Sequence, residues 1–262
     1  MKQTQIPKYN ERNFETQLSR DETDIIHFYD KYAHHWDQRF DDTKATHLFM
    51  QKRLHSFMTI LKDIPKGGIG IELGVGTGIY LKQIAPLFQK IYAVDGSSQM
   101  LEVLSQRIKF EKLENVFPLQ SNVLQISTLE DHSADVIYFF GLLEHIIHID
   151  LFLSEISRLL KKNGKVIVIT PNGSSPWYSI RKLFRSTGKH CSTDHYYSLK
   201  ELKKIFSQHC FSIQKVYFWG AIPAGIKNKP FILLLRVIEY VFERIPLLSR
   251  FLGGITASFS KS

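Results

Sequence analysis

The turn Glu72-Leu73-Gly74-Val75-Gly76-Thr77-Gly78 carries three glycines, each separated by a single residue, directly behind an acidic strand end. Glycine lets a backbone bend sharply and lets a ligand approach where a Cβ would collide, so a bound group is expected over this turn. The next β-rich run ends at Asp95, whose carboxylate could accept hydrogen bonds from both hydroxyls of a ribose. Turn and carboxylate together point to an adenosine-containing ligand. Dinucleotide enzymes also pair glycines with a later acid, but their spacing is G-x-G-x-x-G, whereas here one residue separates the second glycine from the third.

These groups need a scaffold that brings loop and strand ends together. From Pro65 onward, short β-rich runs alternate with helical patterns, as a parallel sheet of βαβ units demands. The pattern predicts strands at Gly70-Leu73, Ile91-Asp95, Val116-Gln120, Asp135-Phe139 and Lys165-Thr170, with helices near Ile79-Leu87, Ser98-Phe110 and Asp150-Lys161. Asn163-Gly164 fits a left-handed C-cap for the last of these helices. Later come a helix at Leu199-His209 with Ser198 as its N-cap, a strand at Ser212-Trp219, an apolar helix over Phe231-Arg244 and a strand at Gly254-Ser260. Before the sheet, residues 1–20 read as a polar arm, and Asp21 to Ile64 as two helices broken at Asp41-Asp42-Thr43. The domain organisation is thus an arm (1–20), a helical cap (21–64) and an α/β domain (65–262) with insertions at about 172–198 and 220–253.

Composition agrees with one sizeable α/β domain: 262 residues, 44% hydrophobic and 23% charged. The net charge of +9 is scattered rather than blocked, a weak pointer to phosphates, nucleic acid or anionic membranes. Cys191 and Cys210 are the two cysteines, and no leader pattern opens the chain, so a cytoplasmic location is expected. The apolar run Phe231-Leu252 is interrupted by Arg236, Glu239, Glu243, Arg244 and Pro246, short of the roughly 20 apolar residues of a spanning helix. Drawn as a helix, it sets Arg236, Glu239, Tyr240 and Glu243 on one stripe against Ile232, Leu234, Leu235, Ile238, Val241, Phe242 and Ile245. Core, a homodimer interface through 231–245, or peripheral contact with a membrane could cover that face, the last aided by Lys227, Lys229, Arg244 and Arg250.

The G-x-G-x-G turn behind an acid resembles the first motif of class I S-adenosylmethionine-dependent methyltransferases. Four further segments follow in that superfamily's order: Asp95-Gly96-Ser97-Ser98-Gln99-Met100, Ser121-Asn122-Val123, Asp135-Val136-Ile137-Tyr138 with Leu143-Glu144-His145, and Leu160-Lys161-Lys162-Asn163-Gly164-Lys165-Val166. The likeness covers about residues 66 to 172 and is nearest to small-molecule O-methyltransferases of the ubiquinone-biosynthesis kind (type 11/12). It implies S-adenosylmethionine as cofactor, held by Glu72, Gly74, Gly76, Gly78, Asp95, Gly96, Ser97, Met100 against adenine, Asn122 and Val123. Asn122 stands where the family usually has an acid, though its amide oxygen can still accept from an adenine amino group. The implied fold is a Rossmann-like seven-stranded, mostly parallel sheet of order 3-2-1-4-5-7-6 flanked by helices. Trp36 looks like an aromatic of an N-terminal helix that closes over the methionine end of the cofactor.

The sulfonium methyl is already electrophilic, so the protein must align the acceptor and take its proton. His145, just past the fourth strand, is the candidate base, with a structural role in starting the next helix as the rival reading. His195 and Tyr197 lie in the region where the family builds substrate specificity. Relatives hold a divalent metal partly through a carboxylate three positions before the glutamate; here that position is Gly141, so no metal is expected. Phe139-Phe140-Gly141-Leu142 replaces the Asp/Asn-Pro-Pro-aromatic motif of enzymes that methylate base amines, which argues against a nucleic-acid substrate. The expectation is methyl transfer to an oxygen of a small molecule or a lipid-linked acceptor, with an RNA or protein methyltransferase and a noncatalytic cofactor-binding relative as alternatives.

Overall fold

The computed structural model describes residues 20–41, 44–176, 178, 195–221 and 228–261. Most of the polar arm, the 42–43 break, most of the 172–198 insertion, Cys191 and Lys227 lie outside the described residues. Seven strands form one sheet of order β3-β2-β1-β4-β5-β7-β6, the predicted topology: β1 Ile69–Leu73, β2 Lys90–Asp95, β3 Val116–Gln120, β4 Ala134–Phe140, β5 Leu160–Pro171, β6 Phe211–Trp219 and β7 Gly254–Lys261. β1 pairs parallel with β2 and β4, β2 pairs parallel with β3, and β7 runs antiparallel to both β5 and β6. The helices are α1 Arg20–Tyr32, α2 Gln38–Asp41, α3 Lys44–Leu61, α4 Leu81–Ile84, α5 Ser98–Glu111, α6 Ile149–Leu159, α7 Leu199–Gln208, α8 Lys229–Arg244 and α9 Pro246–Ser249.

By contact, the chain gathers into two compact units that divide the N-terminal helical region after Trp36. The first contains α1, residues 66–140 and residues 146–164. Its strands bury Ile71, Leu73, Ile91, Val94, Ile137 and Phe139, the near-continuous apolar runs expected where both sheet faces are covered. Asp135, part of the fourth-strand signature, holds the sheet together here: its Oδ2 accepts from Ile69 N and Lys161 Nζ, both at 2.8 Å, and so secures the start of β1.

One expected feature is overturned in this unit. Asn163-Gly164 does not cap a helix; α6 ends at Leu159, its C-cap Leu160 is extended (φ −79°, ψ 132°), and the chain passes straight into β5. Leu159 and Leu160 are both fully buried, which draws the backbone out of the helix before the dipeptide arrives. Gly164 serves close packing instead, since a Cβ there would lie 2.6 Å from the Leu160 side chain and 3.1 Å from the Ala134 carbonyl oxygen.

The second unit contains residues 37–65, 141–145 and the chain from Lys165 on. Buried Thr256 of β7 knits it together, meeting Ser56 of α3 at 2.6 Å and accepting from the Trp219 indole of β6 at 2.9 Å. α7 lies over the antiparallel strands, with Phe206 stacked on Phe259 at 3.9 Å between centroids. α8 departs from its expected rotation. Ile232 and Leu235 do face inward, against Ala45 and Leu48 of α3, but Glu239 is buried with them while Leu234, Val241 and Ile245 stand exposed. Glu239 is drawn in by Gly220 N–H at 3.1 Å and Lys52 Nζ at 3.5 Å. Burial pushes its carboxyl above the ordinary range, and Lys52 opposes that.

Ser198 is the N-cap of α7 and makes a full capping box, its hydroxyl accepting from Glu201 N while the Glu201 carboxylate accepts from Ser198 N at 2.7 Å. These hydrogen bonds hold the Glu201 carboxyl below its ordinary range. Ser198→Ala should cost about 1 kcal/mol. A calorimetric midpoint about 2–4 °C lower would record it, and an unchanged midpoint would show that the cap carries no stability.

Candidate functional site

The glycine turn and the end of β2 meet at Asp95. Gly74, Gly76 and Gly78 all take left-handed backbone conformations, with φ of 63°, 56° and 71°. At Gly76 this aims the N–H at Asp95 Oδ2, 2.7 Å away, while Ser97 N donates to Asp95 Oδ1 at 2.9 Å. A Cβ on Gly76 would find no heavy atom within 4 Å, so the backbone there faces open space, the cradle a ligand needs. Gly78 serves the opposite purpose, because a Cβ there would run into Leu104 and Leu81. Desolvation pushes the Asp95 carboxyl above its ordinary range, opposed by the Ser97 and Gly76 hydrogen bonds.

Glu72 is buried in β1 opposite Tyr138 of β4. Burial, then the charge of Glu72 and a hydrogen bond to it, push the Tyr138 hydroxyl well above its ordinary value, so the phenol stays protonated beside the carboxylate. Ser97 begins α5 as its N-cap, accepting from Met100 N at 3.0 Å, and Met100 itself is buried. Asn122 is buried beyond β3, with its Oδ1 accepting from Leu124 N at 2.9 Å and half-buried Val123 between. The expected adenine contact is therefore limited to the second lone pair of that oxygen. Trp36 is half-buried in the same unit, edge-on to Tyr29 of α1 at 5.2 Å. The sequence reading missed Asp30 of α1, whose Oδ1 accepts from Ser97 Oγ at 2.5 Å and Gln99 N at 3.2 Å. Asp, Ser and backbone N–H groups at a helix start suit a sugar-hydroxyl ligand, and the arrangement fits an adenosine moiety.

In the second unit, Leu143–His145 forms a 3-10 turn. Glu144 is buried there and accepts from Thr170 Oγ1 at 3.2 Å, while its carbonyl accepts from His195 N at 3.0 Å. His145 is half-buried, with Nδ1 beneath the surface. Tyr197 is buried against the edge of the His195 ring at 4.4 Å, and the exposed His195 ring lies 3.7 Å from Glu201. Desolvation, then Glu201 and Glu144, raise the Tyr197 hydroxyl above its ordinary value. Arg53 of α3 was not anticipated. Gly141 sits at φ +66°, and a side chain there would collide with the Arg53 guanidinium and lie 3.2 Å from Glu144 Oε1. No spacing signal marks Arg53, because it lies 88 residues from Gly141 in an amphipathic helix.

Both Asp95 oxygens accept from backbone donors, so Asp95→Asn would aim an amide NH2 at one of them and leave one acceptor for two N–H groups. Binding of S-adenosylmethionine should weaken at least about tenfold in calorimetry, at about 1.4 kcal/mol per tenfold. In the unsubstituted protein, affinity should fall with decreasing pH as Asp95 protonates, beginning at a higher pH than an ordinary Asp would give, since its pKa is raised. An affinity flat with pH in both proteins would remove Asp95 from the ribose.

Residues 71–168 match the model of a methyltransferase domain family. Ubiquinone biosynthesis O-methyltransferase of Pelagibacter ubique is 29% identical over 56% of this chain, which spans 64% of that relative's length. Demethylmenaquinone methyltransferase of Lactobacillus johnsonii is 27% identical over 79% of this chain and 94% of that protein. Among solved structures, a SAM-dependent methyltransferase from Thermotoga maritima superposes with a TM-score of 0.66 at 16% identity, covering 91% of this chain and 100% of that one. Geranyl diphosphate C-methyltransferase from Streptomyces coelicolor, solved with Mg2+, geranyl diphosphate and S-adenosyl-L-homocysteine, gives a TM-score of 0.55 at 15% identity, with 80% of each chain covered. The solved structures share the fold, and the matched methyltransferase domain lies within it. With its five motifs in order and this sheet topology, the chain has the class I S-adenosylmethionine-dependent methyltransferase fold, and residues 71–168 match a methyltransferase domain within it.

Proposed function

We propose that this protein transfers the methyl group of S-adenosylmethionine to an oxygen of a small or lipid-linked acceptor of the quinone-precursor type. The names of the two relatives, both quinone methyltransferases, support the acceptor class. The observation that carries the reading is the cluster of Glu144, His145, Thr170, Tyr197 and Arg53 in the second unit. It combines an imidazole with hydroxyl donors and a guanidinium, groups suited to a hydroxyl that must lose its proton.

When bound, S-adenosylmethionine supplies an electrophilic methyl. His145 accepts the proton of the acceptor hydroxyl, and the guanidinium of Arg53 stabilises the oxyanion that results. Tyr197 and His195 shape the acceptor's surroundings. Arg53 also bears on metal use. At Gly141 a carboxylate is missing from the pattern of the metal-holding relatives, and the space beside Glu144 holds a guanidinium that would repel a divalent cation.

Incubating the full chain with methyl-labelled cofactor and a catechol should place label on oxygen, read by mass spectrometry of the product. His145→Ala should cut turnover about 100-fold or more while leaving cofactor affinity within about twofold. Label on a ring carbon would overturn oxygen as the acceptor atom. An unchanged rate in the variant would move the base elsewhere.

A further inference from the structure

α8 and the turn after it present an inverted amphipathic helix. Its two acids, Glu239 and Glu243, both turn toward Lys52, which donates to Glu243 at 2.7 Å and lies 3.5 Å from Glu239. Leu233, Val237 and Val241, at i, i+4 spacing, point away from the core, with Leu233 63% and Val237 56% exposed. Leu247 at 67% and Phe251 at 46% extend the same apolar surface past the helix. An exposed apolar row of this length is a binding surface rather than scattered surface hydrophobics.

The charges left facing outward on this segment are all positive: Lys229, Arg236, Arg244 and Arg250 are exposed. Arg244 folds back over its own helix, with its guanidinium 3.4 Å from the Tyr240 ring centroid and donating to the Tyr240 carbonyl. Arg244 thus sets a cation directly beside an exposed aromatic ring at the edge of the apolar row. The 16 residues of α8 extend about 24 Å, short of the roughly 30 Å hydrocarbon core. Among the described residues no helix is long and apolar enough to cross a membrane.

We propose that α8 and the Ile245–Phe251 turn dock on an anionic phospholipid bilayer. The helix lies in the interfacial plane, with Leu233, Val237, Val241, Leu247 and Phe251 among the acyl chains and the four cations at the headgroup phosphates. Charge complementarity selects this occupant over a second copy of the chain. A two-fold pair through this face would set four cations against four, with no outward acid on the segment to meet them. The proposal concerns a surface apart from the acceptor chemistry and stands whether the acceptor is soluble or lipid-linked.

Flotation of the full chain with vesicles tests it. Binding is expected to vesicles of 30% phosphatidylglycerol in phosphatidylcholine, and to be at least about tenfold weaker to pure phosphatidylcholine. The double variant Leu233→Glu/Val237→Glu should lose binding to the anionic vesicles at least about tenfold while keeping its circular dichroism and S-adenosylmethionine affinity. Arg236→Gln/Arg250→Gln, which leaves the apolar row intact, should lose about fivefold or more. Equal binding to neutral and anionic vesicles, full binding by the double variant, or no vesicle binding with a dimer that the double variant dissolves in sedimentation would each overturn the proposal.

Discussion

One carboxylate sets the geometry of the first unit. Asp95 ends β2, yet its two oxygens are already engaged by N–H groups on either side of it, from the glycine turn after β1 and from the residue that starts α5. The left-handed Gly76 lets one of these donors face it. Asp30 repeats the device one layer out, closing the first turn of α5 from α1 through Ser97 Oγ and Gln99 N. Turn, strand end, helix start and N-terminal helix are thereby referred to two side chains. Hydrogen bonds to a charged acceptor contribute about 1.5–3 kcal/mol each, but here they do not fully offset desolvation, since the Asp95 carboxyl remains raised. A carboxylate in that condition gains from further donors, which a sugar diol provides.

The second unit handles charge differently. Where the first arranges backbone donors around a fixed acid, the second sets long side chains against carboxylates: Lys52 against buried Glu239 and half-buried Glu243, Arg53 beside buried Glu144. The two cations are sequence neighbours on α3 with different destinations, one holding α8 and the other meeting the turn at Gly141. α3 is in this sense the electrostatic spine of that unit, although its apolar periodicity alone would describe it as a plain packing helix.

The sheet was legible because apolar runs at βαβ spacing admit few arrangements, and because G-x-G-x-G followed by Asp95 requires a strand end at each. Ser198 was legible as a cap because Ser three residues before Glu201 is a local pattern that needs no tertiary partner. What escaped the sequence depends on contacts across long separations. Asp30 is one acid among several in α1, and nothing near it indicates Ser97. The helical period of residues 231–245 was correct, but a period leaves the rotation of the helix open. Lys52 and Gly220 set that rotation by drawing Glu239 inward, which a hydrophobicity pattern assigns to solvent. Asn163-Gly164 misled for a related reason: the dipeptide is a good helix stop in isolation, and the preceding pair of buried leucines had already ended the helix.

The placement of β7 has a consequence for how the chain is made. β5 and β6 do not pair with each other; each pairs antiparallel with residues 254–261, which lie between them and are synthesised after both. During translation, β5 and β6 must therefore wait with open hydrogen-bonding edges until that segment emerges. Ser56 and Trp219 also lack their buried Thr256 partner over the same interval. The parallel strands β1 to β4 have no such debt to the distant chain and can assemble first. The late strand sets the window in which exposed edges are open to mispairing.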